Sequence, residues 1–100
     1  MIFCSYKKLK ITYDSAKDEA NLRRHGLALE MARDLNWSRA LLAMDGRRDY
    51  GETRWIGYAP LGLRLCCVVY VDRGGVRRII SLRKANSREV LRYEQATETD

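Results

Sequence analysis

One hundred residues make one domain. A chain of that size hides roughly two-thirds of its unfolded surface, which excludes a deep, walled pocket and leaves a shallow groove on one face of a sheet as the place for a site. The 19 Lys and Arg outnumber the 13 Asp and Glu, for a formal charge of +6, so the partner is a polyanion or an acidic protein.

Leu65 to Val71, the longest apolar run, is too short to span a bilayer. Met1-Ile2-Phe3-Cys4-Ser5-Tyr6 lacks the apolar stretch of a signal peptide. The three cysteines, Cys4, Cys66 and Cys67, form no C-x-x-C pair. An unpaired set of this kind indicates the cytoplasm and gives no zinc or redox motif.

Residues 1–8 read as an irregular extension, 9–95 as the domain and 96–100 as an acidic tail. Leu9 to Tyr13 alternates and is read as a short strand. Asp14 fits an N-cap, and the helix after it should stop at Gly26. Ala28, Met31, Ala32 and Leu35 recur at the spacing of a core-facing helix, ending near Asn36. Strands follow over Arg39 to Met44 and Thr53 to Ala59. Ala59-Pro60-Leu61-Gly62 carries turn chemistry. Leu63 to Val71 belongs in the sheet centre, covered on both faces. Asp72-Arg73-Gly74-Gly75 is a hairpin turn. Val76 to Leu82 is the last strand and Ser87 to Gln95 a closing helix. The order is β-α-α-β-β-β-β-α, an α+β fold.

Strict alternation places Arg77, Ile79, Ser81 and Arg83 on one face of the last strand, and Arg78, Ile80, Leu82 and Lys84 on the other. Lys84, Arg88 and Arg92 then recur at helical spacing. Arg83 leaves the sheet just before a helix N-terminus, where free N–H groups and basic side chains can hold a phosphate. Charge balance with Glu89 and Glu94 is the plain alternative. On the first helix Lys17, Asn21 and Arg24 share a face, either a phosphate path or ordinary wet surface. Tyr50 or Trp55 could stack on a base, Trp55 being the better core residue. Glu52 and Arg54 point the same way if both lie in a strand, as base and clamp or as a simple salt bridge. His25, the sole histidine, reads as structural or capping ahead of catalytic, and a two-histidine acid–base pair is excluded. No carboxylates cluster at metal-ligand spacing.

Three separated segments carry a resemblance. They are Ile11 to Lys17 with Asn21-Leu22-Arg23-Arg24-His25-Gly26, then Asp49 to Ile56, then Arg78 to Ala85 with Arg92-Tyr93-Glu94. Together they resemble the BrnT family of toxins over about residues 11 to 94. That resemblance implies a RelE-like fold, helices packed on a twisted antiparallel sheet. It implies metal-independent RNA cleavage with no cofactor. The implied partners are an RNA substrate and a BrnA-type ribbon-helix-helix antitoxin, with operator DNA reached only through the complex, which represses its own operon. Arg24 stands where the family usually has Lys, and Thr53 where an acid is common.

On that footing the expected chemistry is attack of a 2′-hydroxyl on the adjacent phosphodiester. Arg54, Arg83 and Arg24 would stabilise the phosphorane, Glu52 would act as base, and Lys17 or Lys84 would protonate the leaving oxygen. Asn21, Tyr50, Arg88 and Arg92 would hold RNA. Arg83→Ala should then lower cleavage while leaving folding nearly untouched. The rival reading is a non-catalytic nucleic-acid-binding or protein-interaction module.

Overall fold

The computed structural model describes residues 9–46 and 51–98. The extension over 1–8, Tyr50 and the end of the acidic tail lie outside the described residues. Five strands form one sheet in the order β1-β5-β4-β3-β2: β1 Lys10–Thr12, β2 Leu41–Met44, β3 Trp55–Leu61, β4 Arg64–Arg73 and β5 Val76–Lys84. Helix α1 spans Ser15–His25 and α2 spans Ser87–Thr97. The fold class is α+β as expected, but the sheet is mixed. β1 runs parallel to β5, pairing Ile11 with Arg77, so the antiparallel expectation holds only for β2 to β5.

Asp14 caps α1 by accepting from the Lys17 N–H at 3.0 Å, and Gly26 ends it with φ +74°. The second helix is not α-helical. Residues Leu29–Asp34 and Trp37–Arg39 form two 3-10 turns. The reason is visible in the burial: Leu29, Ala32 and Leu35 are buried, a spacing of three that matches the 3-10 repeat. Met31, which the α period had placed inwards, is exposed. These three side chains pack with Ile11, Ala59, Cys66, Val68, Tyr70, Ile79 and Leu82 into the core on one face of the sheet.

The hairpins follow their glycines. Gly74 and Gly75 both have positive φ, 54° and 83°, as a tight two-residue turn between β4 and β5 requires. The turn between β3 and β4 is Gly62-Leu63, later than expected, and Pro60 sits inside β3 opposite Leu65. Its carbonyl accepts from Asn36 N–H at 2.8 Å, on the side away from β4. The missing Pro60 N–H therefore faces a stretch where β3 has no strand neighbour, which a sheet tolerates. At Gly57 a Cβ would meet Leu42 at 2.9 Å and Val68 at 3.3 Å, so the absent side chain makes room for its neighbours.

β5 carries the largest departure. Val69 pairs with Ser81 and Tyr70 with Ile79, which leaves Ile80 as a β-bulge. The bulge shifts the alternation by one. Ile79 and Leu82, three apart, both reach the core. Arg77 therefore lies on the core face, whereas Ser81 and Arg83 lie on the opposite face with Arg78. β5 also runs on to Lys84, opposite Cys66. Arg83 and Lys84 belong to the sheet, not to a loop or helix.

Candidate nucleic-acid interface

The face of the sheet away from the core is laid out in rows. Val71 pairs with Arg78; Ile56, Val69 and Ser81 align across three strands; Tyr58, Cys67 and Arg83 align in the next row. Arg54 precedes β3, and its carbonyl accepts from Asp45 N–H at 2.8 Å. Alternation carried back from Ile56 puts Arg54 on this same face, near Val71. Arg54 and Arg78 thus lie to one side of the Ser81 row and Arg83 to the other. Val71 and Cys67 are four residues apart on β4, roughly 13 Å, so a ligand over Ser81 lies between arginines.

The β5 edge supplies a side wall. Where β1 ends, the Asn21 carboxamide takes the place of a neighbouring strand. It donates to the carbonyls of Leu82 and Leu27, at 2.7 and 2.8 Å, and accepts from Leu82 N–H at 3.1 Å. Asn21 is buried; it fixes α1 against β5 and does not share the wet face of Lys17 and Arg24. Those two exposed side chains, with Ala20, Asn21, His25, Ile80 and Ser81, line a pocket of about 200 Å³. His25, at the end of α1, joins this pocket. The sequence signal for it was the Arg24-His25-Gly26 helix end, which capping alone also explains.

Arg83 is held by Glu89. Its two terminal nitrogens donate to the two Glu89 oxygens at 2.9 and 2.8 Å, and one also donates to the Lys84 carbonyl at 3.2 Å. Glu89 is buried and is also half of a capping box, its Oε1 accepting from Asn86 N–H at 2.9 Å. The Arg83 hydrogen bonds, working against burial, hold the Glu89 carboxyl down at about 2, and Glu89 in turn stabilises the charged guanidinium. Tyr58 donates to Glu89 at 3.3 Å, and burial first, then nearby Cys67 and Glu89, push its phenol up to about 12.

Two expectations for this end are corrected. The anion position beside the α2 N-terminus is filled by the Glu89 carboxylate. Arg83→Ala cannot leave folding untouched, because it would strand that buried charge.

Other expected residues are dispersed. Glu52 lies in a bend before β3, not in a strand with Arg54. Its carboxylate takes a bidentate pair from Arg73, both hydrogen bonds 3.0 Å. Arg73 is six residues along β4 from Cys67, roughly 20 Å, so Glu52 and Arg83 are not brought together. Lys84 lies on the core-side row of Cys66, opposite to Arg83. Arg88 and Arg92 are exposed on α2, without Lys84 in their helix. Trp55 packs against the core as expected. Tyr58 and Arg78 also lie on this face and were not among the expected residues. Tyr58 was hidden in an apolar strand, and Arg78 was assigned to the wrong face because the bulge is silent in the sequence.

Among the described residues no three His, Cys, Asp or Glu side chains gather as metal ligands, and no helix is long and apolar enough to cross a membrane. A family model described as the ribonuclease toxin, BrnT, of a type II toxin–antitoxin system matches residues 13–89, from just after β1 to the first turn of α2. No curated protein matches the chain.

Proposed function

The chain belongs to the BrnT family of ribonuclease toxins, and from that premise we propose that the face of its sheet away from the core, where Arg54, Arg78 and Arg83 are half-buried, is the RNA groove of a RelE-like, metal-independent endoribonuclease. The observation that carries this reading is the gathering of Arg54, Arg78 and Arg83 around the Ser81 row, with Lys17 and Arg24 at its side. The scissile phosphate sits over that row. The 2′-oxygen attacks phosphorus, the bond to the 5′-oxygen breaks, and a 2′,3′-cyclic phosphate and a 5′-hydroxyl result. The arginines stabilise the extra charge of the phosphorane. Within the side pocket the His25 imidazole takes the 2′-hydroxyl proton and the Lys17 ammonium gives one to the leaving oxygen. Glu52, seated on Arg73, orders the groove's far end and is not the base. Tyr58 offers its ring to a base beside Arg83.

Type II systems pair such a toxin with an antitoxin. Here we take it to be of the BrnA ribbon-helix-helix type, repressing the shared operon as a complex in the cytoplasm. The test is cleavage of RNA by purified protein in EDTA, with the ends analysed. Cyclic phosphate and 5′-hydroxyl ends are expected, together with growth arrest on unopposed expression. Intact RNA with folded protein would replace this reading with a non-catalytic binding module.

A further inference from the structure

The two edges of the sheet are guarded unequally. At the β1 side the edge strand has three residues with Lys10 and Thr12 exposed, and beyond it Asn21 occupies the Leu82 backbone. Short length, a lysine and a cover are the usual protections of a sheet edge. β2 is also short, at four residues, but it carries no lysine and, among the described residues, has no further strand beside it. Its sequence is Leu41-Leu42-Ala43-Met44, and all four residues are exposed: Leu41 by 37%, Leu42 by 47% and Met44 by 64%. Asp45 N–H donates to the carbonyl of Arg54, just before β3, so by alternation Ala43 and Leu41 also face β3. The N–H and C=O groups of Leu42 and Met44 are left pointing outwards, ready to pair with another chain.

Resting on the toxin reading above, we infer that this edge is the antitoxin's docking strand: an extended apolar segment with acidic flanks adds beside β2 as a sixth strand. Strand addition takes affinity from backbone hydrogen bonds and specificity from alternate side chains. The apolar stripe of β2 sets the partner's apolar residues. Arg39, exposed just before β2, and the +6 charge of the chain set the acidic flanks. A second copy of the chain is the poorer occupant, because it would bring the same positive charge against itself. An edge that would promote aggregation in a lone protein is tolerable in one made alongside its cover.

The experiment uses Met44→Pro, which removes one outward N–H without touching the pairing to β3, and Met44→Lys, which places a charge on the edge. The probe is the antitoxin encoded beside the chain, taken as the neighbouring reading frame that restores growth. Both variants should fold and cleave RNA like the parent. Each should bind the purified antitoxin about tenfold or more weakly in calorimetry. The amide protons of Leu42 and Met44 should gain protection from exchange only in the complex. If Met44→Pro melts early, Met44→Lys carries the test. Unchanged affinity, or no gain of protection at Leu42 and Met44, overturns the proposal. A free chain that sediments as a dimer and is split by either variant also overturns it, in favour of a second copy. Loss of the ribonuclease reading would appear separately, as a parent protein that neither cleaves RNA nor arrests growth.

Discussion

Arg77 and Arg83 sit on one strand and each holds a carboxylate in a bidentate pair, yet they face opposite ways. Arg77 reaches Asp72 at 2.8 and 2.9 Å and lies over two rings, 4.6 Å from the centre of Trp37 and 4.3 Å from that of Tyr70. Those rings meet edge-on at 5.4 Å and belong to the core side. Arg83 reaches Glu89 on the opposite face, in a row with Tyr58 and Cys67. The same chemistry thus anchors the core on one side and fixes α2 on the other, where we propose that RNA binds. What separates the two is Ile80, the single unpaired residue between them.

Inserting one residue between Leu82 and Arg83 should therefore have the largest effect of any change in β5. The inserted side chain takes the place opposite Cys67, and Arg83 turns onto the core-side row and leaves Glu89. Burying one charge and stranding another together exceed the margin of a small domain. The insertion variant should lose its cooperative melt, followed by circular dichroism. Deleting Ile80 should keep it, because the strand without its extra residue alternates with Ile79 and Leu82 inwards and Ser81 and Arg83 outwards. A sharp transition near that of the parent in the insertion variant would show that strand alternation does not fix the faces.

The two arginines can then be tested singly. Arg83→Ala should lower RNA cleavage by about two orders of magnitude per folded molecule, the loss typical of one preorganised donor. It should also cost roughly 3 kcal/mol of stability, because Glu89 is left buried without its partner. Arg83→Lys should recover little of either loss, since a lysine lacks the planar fork that holds both Glu89 oxygens and fixes the side chain. Arg77→Ala should cost stability through its lost ring and carboxylate contacts, while cleavage per folded molecule stays within about twofold. Equal losses of cleavage in Arg77→Ala and Arg83→Ala would erase the distinction between the two faces.

Acid should weaken the Arg83 side selectively. Glu89 ionises at about 2 in the fold, below its ordinary value of 4.5. A depressed carboxyl stabilises the folded state above its unfolded pKa, and that stability is lost as pH falls toward the folded value. The window is thus from above pH 4.5 down to about 2. Glu89→Gln should lose roughly 2 kcal/mol at neutral pH, discounted from the full linkage because the Arg83 side of the pair is partly open to water. For a domain of this size that is about 10 °C in melting temperature. The gap between Glu89→Gln and the parent should narrow as pH falls through the window. A constant gap would show that the charge of Glu89 is not what stabilises.

Much of this was legible beforehand, and the failures have specific causes. The Asp14 cap, the Gly26 stop, the apolar centre at β4 and the Gly74-Gly75 turn each depend on one local rule, and each is visible in a few residues. Leu29, Ala32 and Leu35 were ambiguous because periods of three and 3.6 differ little over so short a segment. Pro60 was read as a turn because its acceptability in a strand depends on what lies beside β3, which is tertiary. Arg54 and Arg83 were expected to act together on the phosphate, and the register puts both on one face, but the strand face of Arg83 was argued from an alternation that Ile80 breaks. The Glu52 carboxylate was assigned by nearness in sequence to Arg54, whereas Arg73 holds it across the hairpin.

The smallest expected effect belongs to Lys84, and it sharpens the comparison because Lys84 is the neighbour of Arg83. Sequence spacing grouped it with Arg88 and Arg92 and offered it as a proton donor. In the fold it pairs with Cys66 and is exposed on the core-side row, so the sheet stands between its ammonium and the groove. Lys17 instead lines the pocket with His25 and Ser81. Lys84→Ala should change cleavage by less than about twofold and stability by no more than ~0.5 kcal/mol, as for a surface charge away from caps and core. Lys17→Ala should lower cleavage by roughly a hundredfold, the usual scale of a lost general acid. A substrate with a leaving group that needs no protonation should restore most of the Lys17→Ala loss. Measured on matched preparations, a Lys84→Ala protein as impaired as Lys17→Ala would mean that the RNA wraps the strand end and that the groove is not confined to one face.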